Sequence, residues 1–395
     1  MRSPCTTITT TGMGMALALA LTLSQPGAGA GAATPPPANS TFSNNVIFTA
    51  PPGLTIVYPR LVELSDGRLL ATASWLSPAG QKPVFPIFAS DDGAATWTWI
   101  ANLTDQANGL GMSAQPALAE LPFAVGPWPP GTVLASGNSW GPNSTNIDVY
   151  ASTDRGATWR FVSNVARGGA PSTANGAPTV WEPFIVCDNQ TVGVFYSDQR
   201  DPRYGQKLAH QESTDLTTWG PVINDVTAPS YAGRPGMPVI TEVPPLAQWL
   251  LVHEYPGAVG AGRQTVDYPV YYHLAASPFA FRFADGMPIV AGGKQADASP
   301  YAVWTVAGNG SNGNGTIVVS DADNSAVFVN QALGAPDQWL EVPTVQPSSY
   351  SRALHVFRKD PDRLLILGAA EYGQLGQDVP TSMSCSVPSR RDQAD

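Results

Sequence analysis

The hydrophobic positions of the chain fall into short continuous runs separated by turns, with no long helical period. Six of these runs have the length and composition of buried strands, and they span residues 68–74, 132–136, 191–196, 249–254, 316–320 and 363–368. The 38 glycines and 38 prolines that punctuate the sequence are typical of short strands joined by many turns. The pattern predicts an all-β protein.

Each of the six runs follows a shorter strand, so the chain consists of six similar units. Five of the shorter strands open with a residue–proline pair, and these prolines are Pro59, Pro116, Pro183, Pro238 and Pro300. Proline is tolerated at the first position of a strand, because its missing N–H breaks no ladder there. The sixth unit has Tyr350 and Ser351 instead.

One turn carries the most specific motif of the chain. Residues 152–159 read S-x-D-x-G-x-T-W without a mismatch, which resembles the Asp-box, the hairpin turn of sialidase-like β-propellers. The carboxylate and hydroxyl can bond the backbone of a tight turn, the glycine supplies a positive φ, and the tryptophan covers the turn. Degenerate copies lie at 90–97 and 213–219. Together with the six units, this repetition predicts an all-β, six-bladed β-propeller of the sialidase-like type.

The ends of the chain differ from its middle. Residues 1–30 read as a secretory signal peptide, with an apolar run too short to span a membrane, and residues 31–41 read as a proline-rich linker. We expect the propeller to occupy residues 42–372, with the strand at its N-terminal end completing the last blade. The polar segment 373–395 is predicted to be a disordered tail. The protein is therefore expected to be secreted.

Composition narrows the choice of partners. The chain is 43% hydrophobic and 13% charged, and its formal net charge is −10. It has no basic run, so we expect no nucleic-acid partner, and no segment after residue 30 is long enough to cross a membrane. We expect a monomer. Six N-x-[ST] sequons are consistent with a secreted glycoprotein, and they begin at Asn39, Asn102, Asn143, Asn189, Asn309 and Asn314.

The cysteine content is consistent with a secreted protein but adds little to the assignment of function. Cys187 and Cys385 remain after removal of the signal peptide. They form either one disulfide bridge or two separate thiols.

Two glutamates stand out because charge is rare in this chain. Glu182 lies at the start of the third unit's first strand, and Glu254 ends the fourth unit's second strand. In a propeller both positions lie at the mouth of the central channel, so the two carboxylates should converge. A glycosidase needs such a pair, one as acid/base and the other as nucleophile or water-activating base. The alternative is a pair neutralised by neighbouring arginines or backbone N–H groups.

The sequence around these glutamates resembles glycoside hydrolase family 93. The resemblance rests on W-E-P-F at 181–184, F-Y-S-D-Q-R at 195–200 and L-L-V-H-E-Y at 250–255, and extends over residues 42–372. It implies a secreted exo-1,5-α-L-arabinanase on a six-bladed propeller, which hydrolyses linear arabinan with retention and releases arabinobiose from the non-reducing end.

The family's catalytic residues correspond to three positions of this chain. Its two glutamates match Glu182 and Glu254, and its active-site tyrosine matches Tyr350, although the neighbouring serines leave that register open. We favour Glu182 as the nucleophile and Glu254 as the acid/base, but the sequence does not fix the roles.

Further polar and aromatic residues are candidates for substrate binding. Ion pairing is the alternative for the three arginines, and a structural role is the alternative for the histidine. The aromatic residues end second strands, where a ring can stack on a sugar. The candidates are Arg60, Trp75, Trp140, Arg200, Arg234, His253 and Tyr255. The four histidines are scattered and no metal-ligand spacing occurs, so we expect neither a metal nor a cofactor.

Two other functions compete with the arabinanase. A sialidase-like exo-glycosidase of other specificity would use three arginines around a tyrosine–glutamate pair, and Arg60 and Arg234 would need Arg352 as the third. A carbohydrate-binding propeller without catalysis would tolerate loss of either glutamate, yet both are present.

Overall fold

The computed structural model describes residues 41–76, 80–257, 266–308, 313–371, 374 and 381–387. The signal peptide and residues 31–40 of the linker lie outside the described residues. The described part contains 26 strands in six four-stranded antiparallel sheets and one two-stranded hairpin. Three short 3₁₀ helices connect strands, at Pro244–Leu246, Phe281–Phe283 and Pro336–Gln338. Among the described residues, no helix is long and apolar enough to cross a membrane.

The six sheets follow one another along the chain as the blades of a propeller. The first three blades are β2 (Thr55–Glu63), β3 (Leu69–Leu76), β4 (Phe85–Ser90), β5 (Thr98–Leu103); β6 (Ala114–Glu120), β7 (Val133–Gly141), β8 (Ser144–Ser152), β9 (Arg160–Gly168); and β10 (Val180–Asp188), β11 (Thr191–Asp198), β12 (Lys207–Ser213), β13 (Ile223–Val226). The last three are β14 (Gly236–Val243), β15 (Gln248–Glu254), β16 (Val270–Ala275), β17 (Met287–Pro288); β20 (Tyr301–Thr305), β21 (Thr316–Ser320), β22 (Val327–Asn330), β23 (Trp339–Val342); and β24 (Ala353–Phe357), β25 (Asp360–Gly368), β26 (Ser382–Val387), β1 (Phe42–Thr49).

The first strands of consecutive blades contact one another, and β24 contacts β2, so the ring is closed. The hairpin of β18 (Val290–Ala291) and β19 (Lys294–Gln295) lies in the chain between blades 4 and 5. The prediction of an all-β, six-bladed propeller is confirmed.

The hydrophobic core is divided among the six interfaces between neighbouring blades. In β7, Val133 and Ala135 pack toward blade 1, whereas Leu134 packs toward blade 3. Because successive side chains of a strand point to opposite faces, a strand covered on both faces must be apolar at every position. This explains the continuous hydrophobic runs in the sequence.

The N-terminal strand completes the last blade, as predicted. β1 is the outermost strand of blade 6 and pairs with β26. The prediction that the whole segment 373–395 is a disordered tail is wrong, because Ser382–Val387 forms the third strand of this blade. Its alternate residues Met383, Cys385 and Val387 are buried in the core between blades 6 and 1, and this alternation of small polar and apolar residues is the signal that the sequence analysis missed.

The two cysteines are separate thiols. Cys187 lies in β10 of blade 3 and Cys385 in β26 of blade 6, and neither is in a disulfide. Burial raises the pKa of both thiols to about 12. The bridge is therefore excluded.

The Asp-box turn has the hydrogen bonds that its sequence predicts. The Asp154 carboxylate accepts bonds from the hydroxyl of Ser152 (2.8 Å) and from the backbone N–H of Thr158 (2.8 Å), and the Trp159 indole donates to the Gly156 carbonyl. In the copy at 90–97, Ala94 takes the positive φ of the glycine position, +74°. These turns follow third strands, and antiparallel order puts them on the face opposite to Glu182 and Glu254.

Five of the six blades begin with the same backbone irregularity, which the sequence analysis did not anticipate. The residue before each strand-opening proline has a φ between 45° and 62°, and these residues are Tyr58, Gln115, Glu182, Met237 and Ser299. In the first four blades a register shift marks a β-bulge at this point. A bulge re-aims a side chain and releases a backbone N–H from the ladder.

Candidate active site

The released N–H groups bond the preceding blade and so position its strand ends. The N–H of Gln115 donates to Ser74 Oγ (2.8 Å), and that of Ser299 donates to Glu254 Oε2 (2.9 Å). Ser74 and Glu254 occupy equivalent places, each opposite the residue just before the bulge region of its own blade. Glu254 thus replaces a small polar residue in a repeated structural position, which fixes its carboxylate at the channel mouth.

Glu182 is itself a bulge residue, at the start of β10. Its Oε2 accepts hydrogen bonds from Ser197 Oγ (2.6 Å) and from the backbone N–H of Met237 (2.8 Å). Burial raises the pKa of Glu182, while these two donors and the positive charges of Arg234 and Arg60 oppose the rise. The carboxylate is held by groups that favour its ionised form.

Glu254 has a different environment. Burial raises its pKa to about 8, and the negative charge of Glu182 adds to the rise. Among the described residues, the hydrogen bond that Glu254 accepts comes from the backbone N–H of Ser299. Glu254 therefore keeps its proton at neutral pH, whereas Glu182 has the donors that support a carboxylate. This difference between two neighbouring carboxyls is what a general acid and a nucleophile require.

Arg234 and Arg60 lie close enough to act electrostatically on Glu182. The Arg234 guanidinium donates to Gln199 Oε1 (3.0 Å) and Gln206 Oε1 (2.9 Å). Arg60 is buried, donates to Ser351 Oγ (3.0 Å) and lies 3.9 Å from the centre of the Tyr58 ring.

Tyr350 lies at the centre of the propeller, beside a residue that the sequence analysis missed. Its ring packs edge-on against Tyr58 at 5.8 Å, and its carbonyl accepts the Tyr58 N–H (2.6 Å). Both tyrosines pack with Met237, whose N–H holds Glu182. Burial and then the charges of Glu182 and Glu254 raise the pKa of Tyr58. The repeated residue–proline pair was the available signal for Tyr58.

Trp140 and Tyr255 lie beside the glutamates. Trp140 is half-buried, and its ring meets Trp181, the neighbour of Glu182, at 6.2 Å. Tyr255 follows Glu254, is half-buried and packs edge-on against Tyr271 at 5.5 Å. Both positions suit contact with a sugar at the channel mouth.

Trp75 does not reach the channel, so its prediction as a substrate-binding residue is wrong. Its ring stacks on Phe48 at 5.2 Å and lies in the hydrophobic core between blades 6 and 1. It shares its strand face with Leu69 and Ala71, which pack toward blade 6. The alternation of β3 therefore turns it away from the channel.

His253 is also unavailable to a sugar. Its side chain is fully buried, with Nδ1 2.9 Å from the Glu254 carbonyl and Nε2 3.1 Å from His273 Nε2. Burial and the neighbouring His273 lower its pKa to about 3. It supports the backbone under Glu254, and its prediction as a substrate-binding residue is wrong.

Arg200 and Arg352 have structural partners. Arg200 forms a two-pronged ion pair with Asp198 (2.8 and 2.9 Å), in agreement with the ion-pairing alternative. Arg352 is fully buried and donates to the carbonyls of Asp321 and Ser325. Arg352 is therefore not the third arginine of a sialidase-like triad.

The described residues contain no cluster of three or more histidine, cysteine or acidic side chains that could hold a metal ion.

Comparison with solved structures reveals close relatives of the fold and the sequence. The chain is similar to a GH93 α-L-arabinofuranosidase of Fusarium graminearum in complex with arabinobiose, with 41% identity, a TM-score of 0.84, and coverage of 90% of this chain and 99% of that one. It is similar to a Penicillium chrysogenum α-L-arabinanase complexed with arabinobiose, with 40% identity, a TM-score of 0.82, and coverage of 88% and 98%.

A sialidase of Streptococcus pneumoniae matches with a TM-score of 0.61 over 89% of this chain and 71% of that one, but at 9% identity it shares only the fold. No protein-family model and no curated protein matches the chain.

Proposed function

The chain belongs to glycoside hydrolase family 93, and we propose that it is a retaining exo-1,5-α-L-arabinanase that releases arabinobiose from the non-reducing end of linear arabinan. The observation that carries the proposal is the pair of half-buried glutamates whose carboxyls differ in their hydrogen-bond donors, with the pKa of Glu254 raised to about 8. Two relatives, at 41% and 40% identity, were solved with arabinobiose, which supports the substrate class.

The mechanism follows from the two environments. Glu182, ionised and held by Ser197 and Met237, attacks the anomeric carbon and forms a covalent glycosyl-enzyme. Glu254, protonated, donates its proton to the departing glycosidic oxygen. In the second step Glu254 as a carboxylate takes a proton from water, which attacks the same carbon and releases arabinobiose with its original configuration.

Neighbouring groups support this division of work. Trp140 and Tyr255 offer ring faces for a furanose. Tyr350 and Tyr58 pack with Met237, whose N–H holds the Glu182 carboxylate. A sialidase activity is less well supported, because Arg352 is buried away from the channel and arabinan carries no carboxylate for an arginine triad to bind.

The proposal also includes that the protein is secreted, glycosylated and monomeric. Secretion and glycosylation are supported by the apolar N-terminal run and by sequons whose asparagines are exposed at Asn102, Asn143 and Asn189.

Product analysis tests the activity. The purified secreted protein is incubated with linear arabinan, branched arabinan and a sialoside, and the products are separated by anion-exchange chromatography. We expect arabinobiose from linear arabinan from the earliest time point, less from branched arabinan, and no sialic acid.

Glu182→Gln serves as the inactive control in this assay. Arabinose alone, a ladder of longer oligosaccharides, or sialic acid as the main product would overturn the proposed specificity. No product from any substrate would favour a binding propeller.

A further inference from the structure

Arg234 is held in an unusual way for an arginine beside two acids. All of its side-chain hydrogen bonds in the described part of the chain go to neutral oxygens, those of Asn175, Gly205, Gln199 and Gln206. We call the three side chains Asn175, Gln199 and Gln206 the amide clamp. An amide oxygen satisfies an N–H donor without neutralising the guanidinium charge, so that charge acts on the groups around it.

The positive charge of Arg234 acts on the carboxyls of Glu182 and Glu254. The interaction with Glu182 is the larger. Because Glu182 must be ionised while a second carboxyl lies nearby, it needs a compensating positive charge. Arg234, half-buried and uncompensated by the clamp, supplies it.

The clamp is also in contact with the strand that carries Glu182. Gln206 accepts from Arg234 and from the indole of Trp181 (3.1 Å), and donates to the Pro235 carbonyl (2.9 Å). A Cβ atom at Gly236 would come within 2.8 Å of Gln206 Nε2 and 3.3 Å of Glu182 Oε2. The clamp amide and the Glu182 carboxylate therefore lie against the same glycine, and a side chain at this position would displace the Gln206 amide.

We propose that Arg234 is a positioning residue for the arabinanase reaction, which keeps Glu182 ionised through its charge, and that the amide clamp preserves this charge by binding it without an acid. The proposal rests on the function proposed above. It differs from a role in gripping a charged sugar, because both terminal nitrogens of the guanidinium already donate to the clamp and to the Gly205 carbonyl.

Other charged and titratable groups near Glu182 also influence the pKa values of the two glutamates. Glu254 faces it from blade 4, and Arg60 and Tyr58 face it from blade 1. Asp297 acts on Glu254 from the segment before blade 5. Loss of Arg234 leaves Arg60 as the remaining cation, so Glu182 should become harder to ionise without losing its charge at high pH.

The test compares Arg234→Met with Arg234→Lys. Removal of the charge should move the acidic limb of the kcat/KM profile on arabinan up by about one pH unit. The value of kcat/KM at high pH should fall by a smaller factor than its value at low pH. The lysine variant should keep the limb near its wild-type position. Arg203→Met is the matched control, since Arg203 lies on the β11–β12 loop that also carries Gln199 and Gln206, but is exposed and paired with Asp201. An unchanged limb in Arg234→Met, with a raised KM, would assign Arg234 to substrate binding and overturn the proposal.

A second measurement separates this proposal from the assignment of activity. The chain has only eight glutamates, so the ¹³C resonances of labelled glutamate carboxyls can be titrated, with Glu182→Gln identifying the Glu182 signal. In Arg234→Met this signal should titrate at higher pH than in the wild type, whether or not arabinan is hydrolysed. A signal that titrates at the same pH in both proteins would refute the proposal, and circular dichroism establishes that the variant is folded.

Discussion

At the scale of single residues, two chemically identical carboxyls differ because the backbone delivers different donors to them. Within the part of the chain that the structure describes, Glu182 receives a hydroxyl and an N–H from blades 3 and 4, whereas Glu254 receives one N–H from the segment before blade 5. Loss of hydration raises the pKa of both half-buried carboxyls, so these few bonds and the mutual repulsion decide which of them holds a proton.

This asymmetry predicts different outcomes for the two Glu→Gln variants. Both should lose arabinan hydrolysis while staying folded. With a nitrophenyl arabinobioside, whose leaving group needs no proton, Glu254→Gln should still form the covalent intermediate and stall there. Azide should restore its turnover and give an arabinobiosyl azide of retained configuration, measured by ¹H NMR. The same retained product from Glu182→Gln alone would reverse the two roles, and near-normal activity in either variant would exclude the paired mechanism.

His253 predicts a dependence of stability on pH. Its pKa is lowered to about 3 in the folded protein, against an ordinary value of about 6.5 in the unfolded chain. The unfolded chain therefore binds the extra proton below pH 6.5, and the stability that neutral His253 provides is present above that pH and lost as pH falls toward 3, by up to about 1.4 kcal/mol per pH unit.

Urea unfolding at pH 7 and pH 4.5 checks this prediction. The loss of unfolding free energy between the two pH values should be smaller in His253→Gln than in the wild type. Equal losses would show that His253 does not contribute. His273 acts on His253, and Asp285 acts on His273. Both residues are the same in the two proteins compared.

At the scale of elements, the Asp-box stabilises a turn that is remote from the chemistry. The Asp154 carboxylate accepts bonds from Ser152 and from both the N–H and the hydroxyl of Thr158. The strand order puts the turn on the face opposite to the glutamates.

Asp154→Ala should therefore destabilise the fold by about 1–3 kcal/mol, since it leaves turn donors unpaired, with turnover per folded molecule near the wild-type value. Thermal unfolding and arabinan hydrolysis measured on the same sample check both parts. The neighbouring exposed Thr153→Ala is the control and should change neither. A large fall in turnover at an unchanged melting temperature would contradict this assignment of the turn.

At the scale of the whole molecule, the ring is closed by the two ends of the chain. β26 contributes Met383, Cys385 and Val387 to the core between blades 6 and 1, and β1 pairs with no other described strand. Burial of one large apolar side chain contributes about 1.5–3 kcal/mol, so loss of β26 removes a sum comparable to the total stability of a typical domain, about 5–15 kcal/mol.

Truncation after Glu371 should therefore abolish folding, whereas truncation after Val387 should preserve the wild-type melting temperature. Soluble yield and circular dichroism of the two shortened chains provide the measurement. A chain ending at Glu371 that melts like the full-length protein would show that β26 is dispensable.

The sequence by itself determined the repeated units, the Asp-box turns and the glutamate pair, because each depends on residues that are close in the chain or on a fixed place in a strand. The tertiary structure decided which way side chains point. Trp75 and Trp140 both end second strands, yet Trp75 lies one position after Ser74 and Trp140 lies two after the equivalent Asn138, and a shift of one residue reverses the face of a strand. Trp75 is therefore core and Trp140 borders the glutamates. The bulges that aim Tyr58 and Glu182 inward, the burial of His253 and the raised pKa of Glu254 likewise depend on neighbouring blades, whose contacts no local pattern contains.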